Sequence, residues 1–282
     1  MSVNVLVQGG LGNQLFQVAW AYYLKDKLKL DVNLNMRLFY KQKQHSAVSF
    51  LSLLGELSHV PLYKNKIITF NDDLLSKVIR FSLRKINIRY VPKFLIYDYD
   101  ALSNLVDCLK IANSHCHYGY FQFPDAAIYA ADSFRDCILD KHSQFIRSIN
   151  KNISKHVGIH IRRGDFVTSK NKLHTVSSIE YIKKAIEKFP GRSFLVFSDD
   201  IDWCKEELHD VSSVEYFSGK SAIEDFIGLM YCQDYILSGS TFSWWAAILN
   251  RNESTKVIIP KSDAQFMSEQ SNNIIGWDYE RV

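Results

Sequence analysis

The residues of this chain best suited to chemistry stand in the run His160-Ile161-Arg162-Arg163-Gly164-Asp165, two adjacent arginines with an aspartate two positions on. Arginine keeps its charge and offers a planar fork of donors matched to phosphate oxygens, so the pair suits a doubly anionic, phosphorylated ligand. Ahead of it, Val157, Ile159 and Ile161 alternate with His156, Gly158 and His160. That period of two predicts a strand with its apolar set on one face and His160 with Arg162 on the other. Arg163 then falls at the strand's exit, and in an open parallel sheet ligands bind outside the carboxyl ends of strands. The competing reading is a surface arginine pair neutralised by Asp165.

Two more predicted strand ends carry polar residues, Ser198-Asp199-Asp200 and Ser238-Gly239-Ser240-Thr241. A parallel sheet brings all three ends to one edge. The last opens a helix, Phe242-Ser243-Trp244-Trp245-Ala246-Ala247, whose free backbone N–H groups and dipole favour an anion. Arginine plus a helix N-terminus is a diphosphate site that needs no metal. Asp199 can accept two N–H bonds from a purine such as guanine, or it can serve as a turn or N-cap residue.

Other patterns are less specific. Gly10-Leu11-Gly12-Asn13-Gln14-Leu15 is similar to the start of a dinucleotide fingerprint, and Asp31 lies about 20 residues on, where a ribose-binding acid would sit. Leu15, however, takes the place of the third glycine. The loop is then either a sharp strand-to-helix turn or a wall of the same cleft from the opposite domain. Asp98-Tyr99-Asp100 has the form of a metal-binding DxD triplet, a short pattern that arises often by chance. Three consecutive residues on a strand alternate sides, so His115-Cys116-His117 cannot all face one ion, and no metal site is expected.

These residues need a scaffold, and the pattern supplies an α/β one. Val3 to Val7, a helix from Gln14 to Lys27 and Val32 to Leu34 read as half of a doubly wound unit; Lys41 to Phe123 yields no clear elements. After about residue 150 the series alternates again: strand Val157 to Ile161, helix Ile179 to Lys188, strand Phe194 to Phe197, helix Ile223 to Tyr231, strand Tyr235 to Leu237, helix Phe242 to Leu249, strand Val257 to Ile259. Ser177-Ser178-Ile179-Glu180 and Ser221-Ala222-Ile223-Glu224 have the form of capping boxes. With 282 residues, two domains are expected, 1–150 and 151–282. A net charge of +4 is too small for a nucleic-acid partner, and five cysteines without a CxxC read as reduced thiols. No stretch reads as a signal peptide or a membrane span, so the cytoplasm is the expected compartment.

The ordered set of motifs resembles the α-1,2-fucosyltransferase family, the family-11-like glycosyltransferases of bacterial O-antigen and blood-group-H type. It comprises Gly9-Gly10-Leu11-Gly12-Asn13-Gln14-Leu15-Phe16-Gln17, Gly119-Tyr120-Phe121-Gln122, His160 to Asp165, Phe197-Ser198-Asp199-Asp200 and Ser240-Thr241-Phe242-Ser243-Trp244-Trp245-Ala246-Ala247. Two departures stand out: Gly239 where the family often has Asn, and Pro124-Asp125-Ala126-Ala127 where it usually continues into Ser and Lys.

The resemblance implies a GT-B fold, two Rossmann-like domains facing across a cleft, with an N-terminal acceptor side and a C-terminal GDP-fucose-binding domain. It implies inverting, metal-independent transfer of L-fucose from GDP-β-L-fucose to the 2-hydroxyl of a galactose in a glycan, with no cofactor. Carried onto this sequence, Arg163 neutralises the β-phosphate, His160 and Arg162 shape the donor site, and Asp199 reads guanine. Ser240, Thr241 and Phe242 offer donors to the phosphates, and Gly12 and Asn13 close on the sugar-diphosphate side. Asp165 is the candidate general base, or else the partner that orients the arginines; Asp125 and Glu180 are weaker candidates. Acceptors of this kind are often lipid-linked, so peripheral contact with the cytoplasmic face of the inner membrane through the basic segment Lys77 to Arg89 is an expectation to test. Alternatives are α-1,6-fucosyl transfer, a dinucleotide-dependent oxidoreductase using Gly10, Gly12 and Asp31, and a catalytically silent glycan-binding protein.

Overall fold

The computed structural model describes residues 3–41, 48–57, 59–63, 96–98, 116–149, 151–164, 178–250, 254–260 and 277–281. The chain divides into two compact units, Met1–Ser133 and Phe134–Val282.

In the first unit β1 (Val3–Leu6) leads through a short glycine loop into α1 (Leu11–Leu28), which is buried on almost every side. Then come β2 (Val32–Asn35), α2 (Arg37–Lys41), α3 (Phe50–Leu54), β3 (Leu62–Tyr63), β4 (Ile96–Asp98) and β5 (Cys116–Tyr118). The described strands pair in parallel in the order β3-β2-β1-β5-β4, so the winding reverses between β1 and β5. Two buried glutamines of α1 hold the loops at this point. Gln17 accepts from the Gln8 N–H and donates to the Gly119 carbonyl, both at 2.9 Å. Gln14 donates to Gly9 O and accepts from the Phe50 N–H, also at 2.9 Å. The division between the units falls within α4 (Pro124–Lys141), ahead of the junction near residue 150 read from the sequence.

The second unit continues with α5 (Ser143–Ser148), a 3-10 turn (Lys151–Lys155), β6 (Val157–Ile161), α6 (Ile179–Ile186), β7 (Phe194–Ser198), α7 (Ile201–Glu207), β8 (Val214–Tyr216) and α8 (Ala222–Met230). It ends with β9 (Asp234–Ile236), α9 (Thr241–Ile248), β10 (Thr255–Ile259) and β11 (Trp277–Arg281). Its parallel sheet runs β11-β10-β9-β6-β7-β8, with the reversal between β6 and β9. The alternation read in β6 is present. Val157, Ile159 and Ile161 lie in a cluster with Tyr181, Ile182 and Ala185 of α6, each fully buried strand residue contributing about 1.5–3 kcal/mol. On the other face Gly158 meets Leu229 and Cys232. Both faces are covered, as parallel strands require. Trp244 and Trp245 of α9 are fully buried, Trp245 against Phe134 at 5.5 Å, so the paired tryptophans of the late motif serve the core.

Of the second capping box the serine half forms as read, Ser221 Oγ accepting from the Glu224 N–H at 3.3 Å, while the Glu224 carboxylate accepts from the Lys220 N–H at 2.6 Å, one residue ahead of the cap. The first is set one residue later. Ser178, directly before Ile179, caps α6 by accepting from the Tyr181 N–H at 3.2 Å. That register turns Tyr181 inward, where its hydroxyl donates to the Leu237 and Ile258 carbonyls at 2.8 and 3.1 Å. Ser177 and the basic segment Lys77 to Arg89 lie outside the described residues. Among the described residues no helix is long and apolar enough to cross a membrane.

A Cβ on Gly158 would stand 2.8 Å from Cys232 Sγ and from Leu229 Cδ1, inside van der Waals contact. Gly158→Ala is expected to lower the unfolding free energy by about 1–3 kcal/mol in urea titrations. Gly10→Ala, where nothing lies within 4 Å, serves as the matched control and should shift it by less than about 0.5 kcal/mol.

Candidate active site

The carboxyl edge of the second sheet gathers the residues singled out in the sequence. One aspartate organises them. Asp199, following β7, accepts the Arg163 and Gly164 backbone N–H groups on Oδ1 at 2.9 and 3.2 Å, and pairs with Arg162 Nη1 through Oδ2 at 2.8 Å. The segment leaving β6 is thereby tied to the end of β7. A Cβ at 164 would stand 2.5 Å from Asp199 Oδ2, so a larger residue there would have to displace the carboxylate that holds the loop. The carboxylate expected to read guanine is thus occupied by the loop that carries the arginines.

Arg163 is held from two sides. Its Nε donates to Asp200 Oδ2 at 3.0 Å, and its guanidinium lies over the Trp203 ring with Cζ 3.8 Å from the centroid. Asp200 also caps α7, accepting from the Trp203 N–H at 3.4 Å. One residue therefore fixes both the arginine and the helix that carries the ring beneath it. Among the described residues the Nη groups of Arg163 have no partner, and the fork is stacked and oriented through its Nε edge. The alternative reading, a surface pair neutralised by Asp165, turns on a residue outside the described ones; among the described residues Arg162 pairs with Asp199 and Arg163 with Asp200.

His160 sits deeper, at the reversal between β6 and β9. Its Nδ1 is 2.7 Å from Ser238 Oγ, and its ring stacks on Phe242 at 5.4 Å, with Phe226 edge-on to Phe242 at 5.1 Å. Burial, reinforced by the Arg162 charge, lowers the imidazole from 6.5 to about 3, so it is neutral at any physiological pH. Phe242 is accordingly a packing partner for this ring. Ser240 caps α9 with its hydroxyl, accepting from the Phe242 N–H at 3.3 Å, and its own N–H donates to Ser238 O at 2.7 Å. Two of the backbone donors expected for phosphates are therefore used internally. The N–H of Thr241 has no partner among the described residues.

Asp165 lies outside the described residues. Asp125 is in the first turn of α4, and Glu180 in the first turn of α6, where its own backbone N–H and the Ser178 hydroxyl hold its carboxyl below the usual range. Gly12 and Asn13 belong to the first unit, at the start of α1, where Asn13 Oδ1 accepts from Gln122 Nε2 at 3.0 Å.

The dinucleotide pattern is corrected by position. Asp31 precedes β2 and its carbonyl accepts from the Val3 N–H at 2.7 Å, at the opposite end of the strands from the glycine loop. Four residues of strand, about 13 Å, separate that edge from the one where a ribose would bind, where Asn35 stands instead. His117 of the His-Cys-His run is buried and accepts the Trp20 indole N–H on Nδ1 at 3.0 Å.

Trp203 and Ser238 were not singled out as site residues in the sequence. The signal for Trp203 was its place three residues after Asp200, one helical turn into a segment that carries a capping aspartate.

Known proteins agree with this architecture. A mutant of Arabidopsis thaliana FUT1 in complex with GDP shares the fold at a TM-score of 0.55 and 12% identity, over 94% of this chain and 71% of that one. The class is α/β GT-B. The O-antigen biosynthesis glycosyltransferase WbnK of Escherichia coli is 30% identical over 90% of this chain and 92% of its own. An alpha-1,2-colitosyltransferase of Escherichia coli is 25% identical, covering 92% of each. The galactoside 2-alpha-L-fucosyltransferase Sec1 of Mus musculus is 28% identical over 49% of this chain and 41% of its own. The model of the family "Glycosyl transferase family 11" matches residues 2–281, and to that family this chain belongs.

Proposed function

We propose that this glycosyltransferase moves L-fucose from GDP-β-L-fucose to the 2-hydroxyl of a galactose in a glycan, inverting the anomeric centre without a metal. The observation that carries the reading is the Arg163 guanidinium, seated on Trp203 and Asp200 with its Nη groups unpartnered among the described residues, beside Arg162 and the neutral His160. Displacement at an anomeric carbon passes through an oxocarbenium-like state while negative charge gathers on the leaving diphosphate. A fork already oriented by its surroundings stabilises that charge without reorganising. Arg162, on the strand face of His160, adds a second cation, and the Thr241 N–H at the start of α9 supplies a backbone donor.

Asp199 has a framework task in this scheme, since its oxygens already hold the arginine loop. Asp165 is assigned as the base that takes the proton of the acceptor hydroxyl, and Asp165→Asn should then cost ~100-fold or more in turnover. Gly12 and Asn13 serve the sugar-diphosphate side from the first unit. Colitose in place of fucose is a second reading, favoured by the alpha-1,2-colitosyltransferase that covers 92% of this chain.

The test is a panel of galactose-terminated acceptors with GDP-fucose and GDP-colitose as donors, the products resolved by linkage. An α-1,2-fucosyl product is expected; an α-1,6 product or transfer of colitose alone replaces this assignment. Calorimetry should show binding of GDP and none of NAD. Arg163→Ala should lower kcat by ~100- to 1000-fold and raise the donor KM by less, and near-normal turnover at saturating donor would contradict the leaving-group role.

His160 sets a pH signature. In the unfolded chain it titrates near 6.5, and in the folded chain near 3. The folded state refuses a proton that the unfolded state accepts, so its contribution is complete above about pH 6.5 and falls by about 1.4 kcal/mol per unit between there and 3. The unfolding free energy of the wild type should therefore drop more steeply than that of His160→Gln between pH 7 and 4.

A further inference from the structure

We propose that Ser238 is a positioning residue for the donor: its hydroxyl donates to His160 Nδ1, fixes the imidazole as the Nε2–H tautomer, and so presents a neutral N–H to an acceptor oxygen of the nucleotide. The ligand half of this rests on the GDP-sugar reading above; the tautomer half does not.

The assignment follows from accounting for donors. A neutral imidazole has one N–H and one lone pair, and a serine hydroxyl has one proton to place. Nδ1 and Ser238 Oγ are 2.7 Å apart, and neither side chain has another hydrogen-bond partner among the described residues. If the ring proton sat on Nδ1 it would fill the bond to Oγ. The hydroxyl proton would then be stranded on a residue only 1% exposed, and the Nε2 lone pair would be idle as well. With the ring proton on Nε2, the hydroxyl donates to Nδ1 and the sealed donor is satisfied. The one donor left over is Nε2–H. Nε2 has no partner among the described residues, so it is the atom of this pair left to meet a ligand.

The surroundings keep the ring in that pose. Phe242 covers its face at 5.4 Å and is itself braced by Phe226, so the imidazole cannot turn without displacing two aromatic rings. Ser238 follows β9 and His160 ends β6, the adjacent strands between which the winding reverses. Ligands of open parallel sheets bind at that crevice. Arg162, two residues on, opposes a further positive charge on the ring, and a neutral N–H gives a directional bond there without one.

Long-range proton–nitrogen correlation spectra of the labelled full chain read the tautomer directly, with His160→Gln identifying the resonance. The free wild type is expected to show Nε2–H, and Ser238→Thr should keep it; in Ser238→Ala the Nδ1 lone pair loses its donor, and its nitrogen resonance should move to that of an unbonded imidazole nitrogen. In parallel, the GDP Kd and donor KM should rise ~10-fold in Ser238→Ala and recover in Ser238→Thr, with kcat changed less. Pyrophosphate and guanosine titrations separate the two sources of the acceptor oxygen by which one moves the Nε2 resonance. An Nδ1–H wild type overturns the proposal, as does a Ser238→Ala variant with an unchanged Nδ1 resonance and unchanged affinity. Should the wild type show Nε2–H yet bind no GDP, the donor reading fails instead and takes the ligand half with it.

Discussion

The carboxylate of Asp199 is the contact on which the site depends. A chain leaving a parallel strand at the carboxyl edge has backbone N–H groups with no ladder partner, and here one acid takes two of them together with the Arg162 guanidinium. Everything downstream follows from that capture. The approach is so close that a Cβ at 164 would push the carboxylate off its bonds. Arg163, with its backbone fixed, meets the next acid along, Asp200, and the ring that Asp200 positions by capping α7. Removing Asp199 would free three donors at once, whereas removing Asp200 would leave the backbone in place and let the side chain swing.

The first unit solves the same problem with neutral groups. At its own reversal point, between β1 and β5, the loops are tied by buried glutamines projecting from α1. An amide offers both donor and acceptor, so one Gln17 side chain joins the Gln8 N–H on one side to the Gly119 carbonyl on the other. This explains why a motif rich in glycine is followed at once by glutamines. The glycines allow the turn, Gly9 at a φ of 79°, and the amides hold it. No acid takes part in those ties.

Much of this was legible in the chain. The strand Val157 to Ile161 was read with its bounds intact because period two and a glycine-bounded exit coincide there, and Ser221 was read as a cap because its glutamate stands three residues on. The misreadings share a cause. Asp31 has the right distance along the chain from the glycine loop and the wrong end of β2, since residue spacing does not say on which edge of a strand a residue falls. The hold of Asp199 on the arginine loop went unread because its bonds reach residues 36 and 35 positions away, which no local pattern records. The same holds for Trp203, whose partner lies on another strand's exit, and for the Ser238 contact 78 residues from His160. The short strands β4 and β5 carry too few residues to display a period.

The charge balance of the site bears on how it would work. Among the described residues each of the two guanidiniums is matched by its own carboxylate and His160 is neutral, so their formal charges cancel before any ligand arrives. On the proposed reading, attraction of a diphosphate cannot then come from net field, which the chain's overall +4 also leaves small. It must come from directional donors, namely the Nη groups of Arg163, the Nε2–H of His160 and the Thr241 N–H. Such donors favour charge where it develops in the transition state over charge that is merely nearby, because their strength falls steeply with misalignment. A site that held the free diphosphate by bulk positive charge would also retain it as product. Countering each arginine with its own acid keeps the fork oriented while leaving the ground-state grip weak, and Asp200 does this through Nε alone, leaving the outer edge of the fork for the substrate.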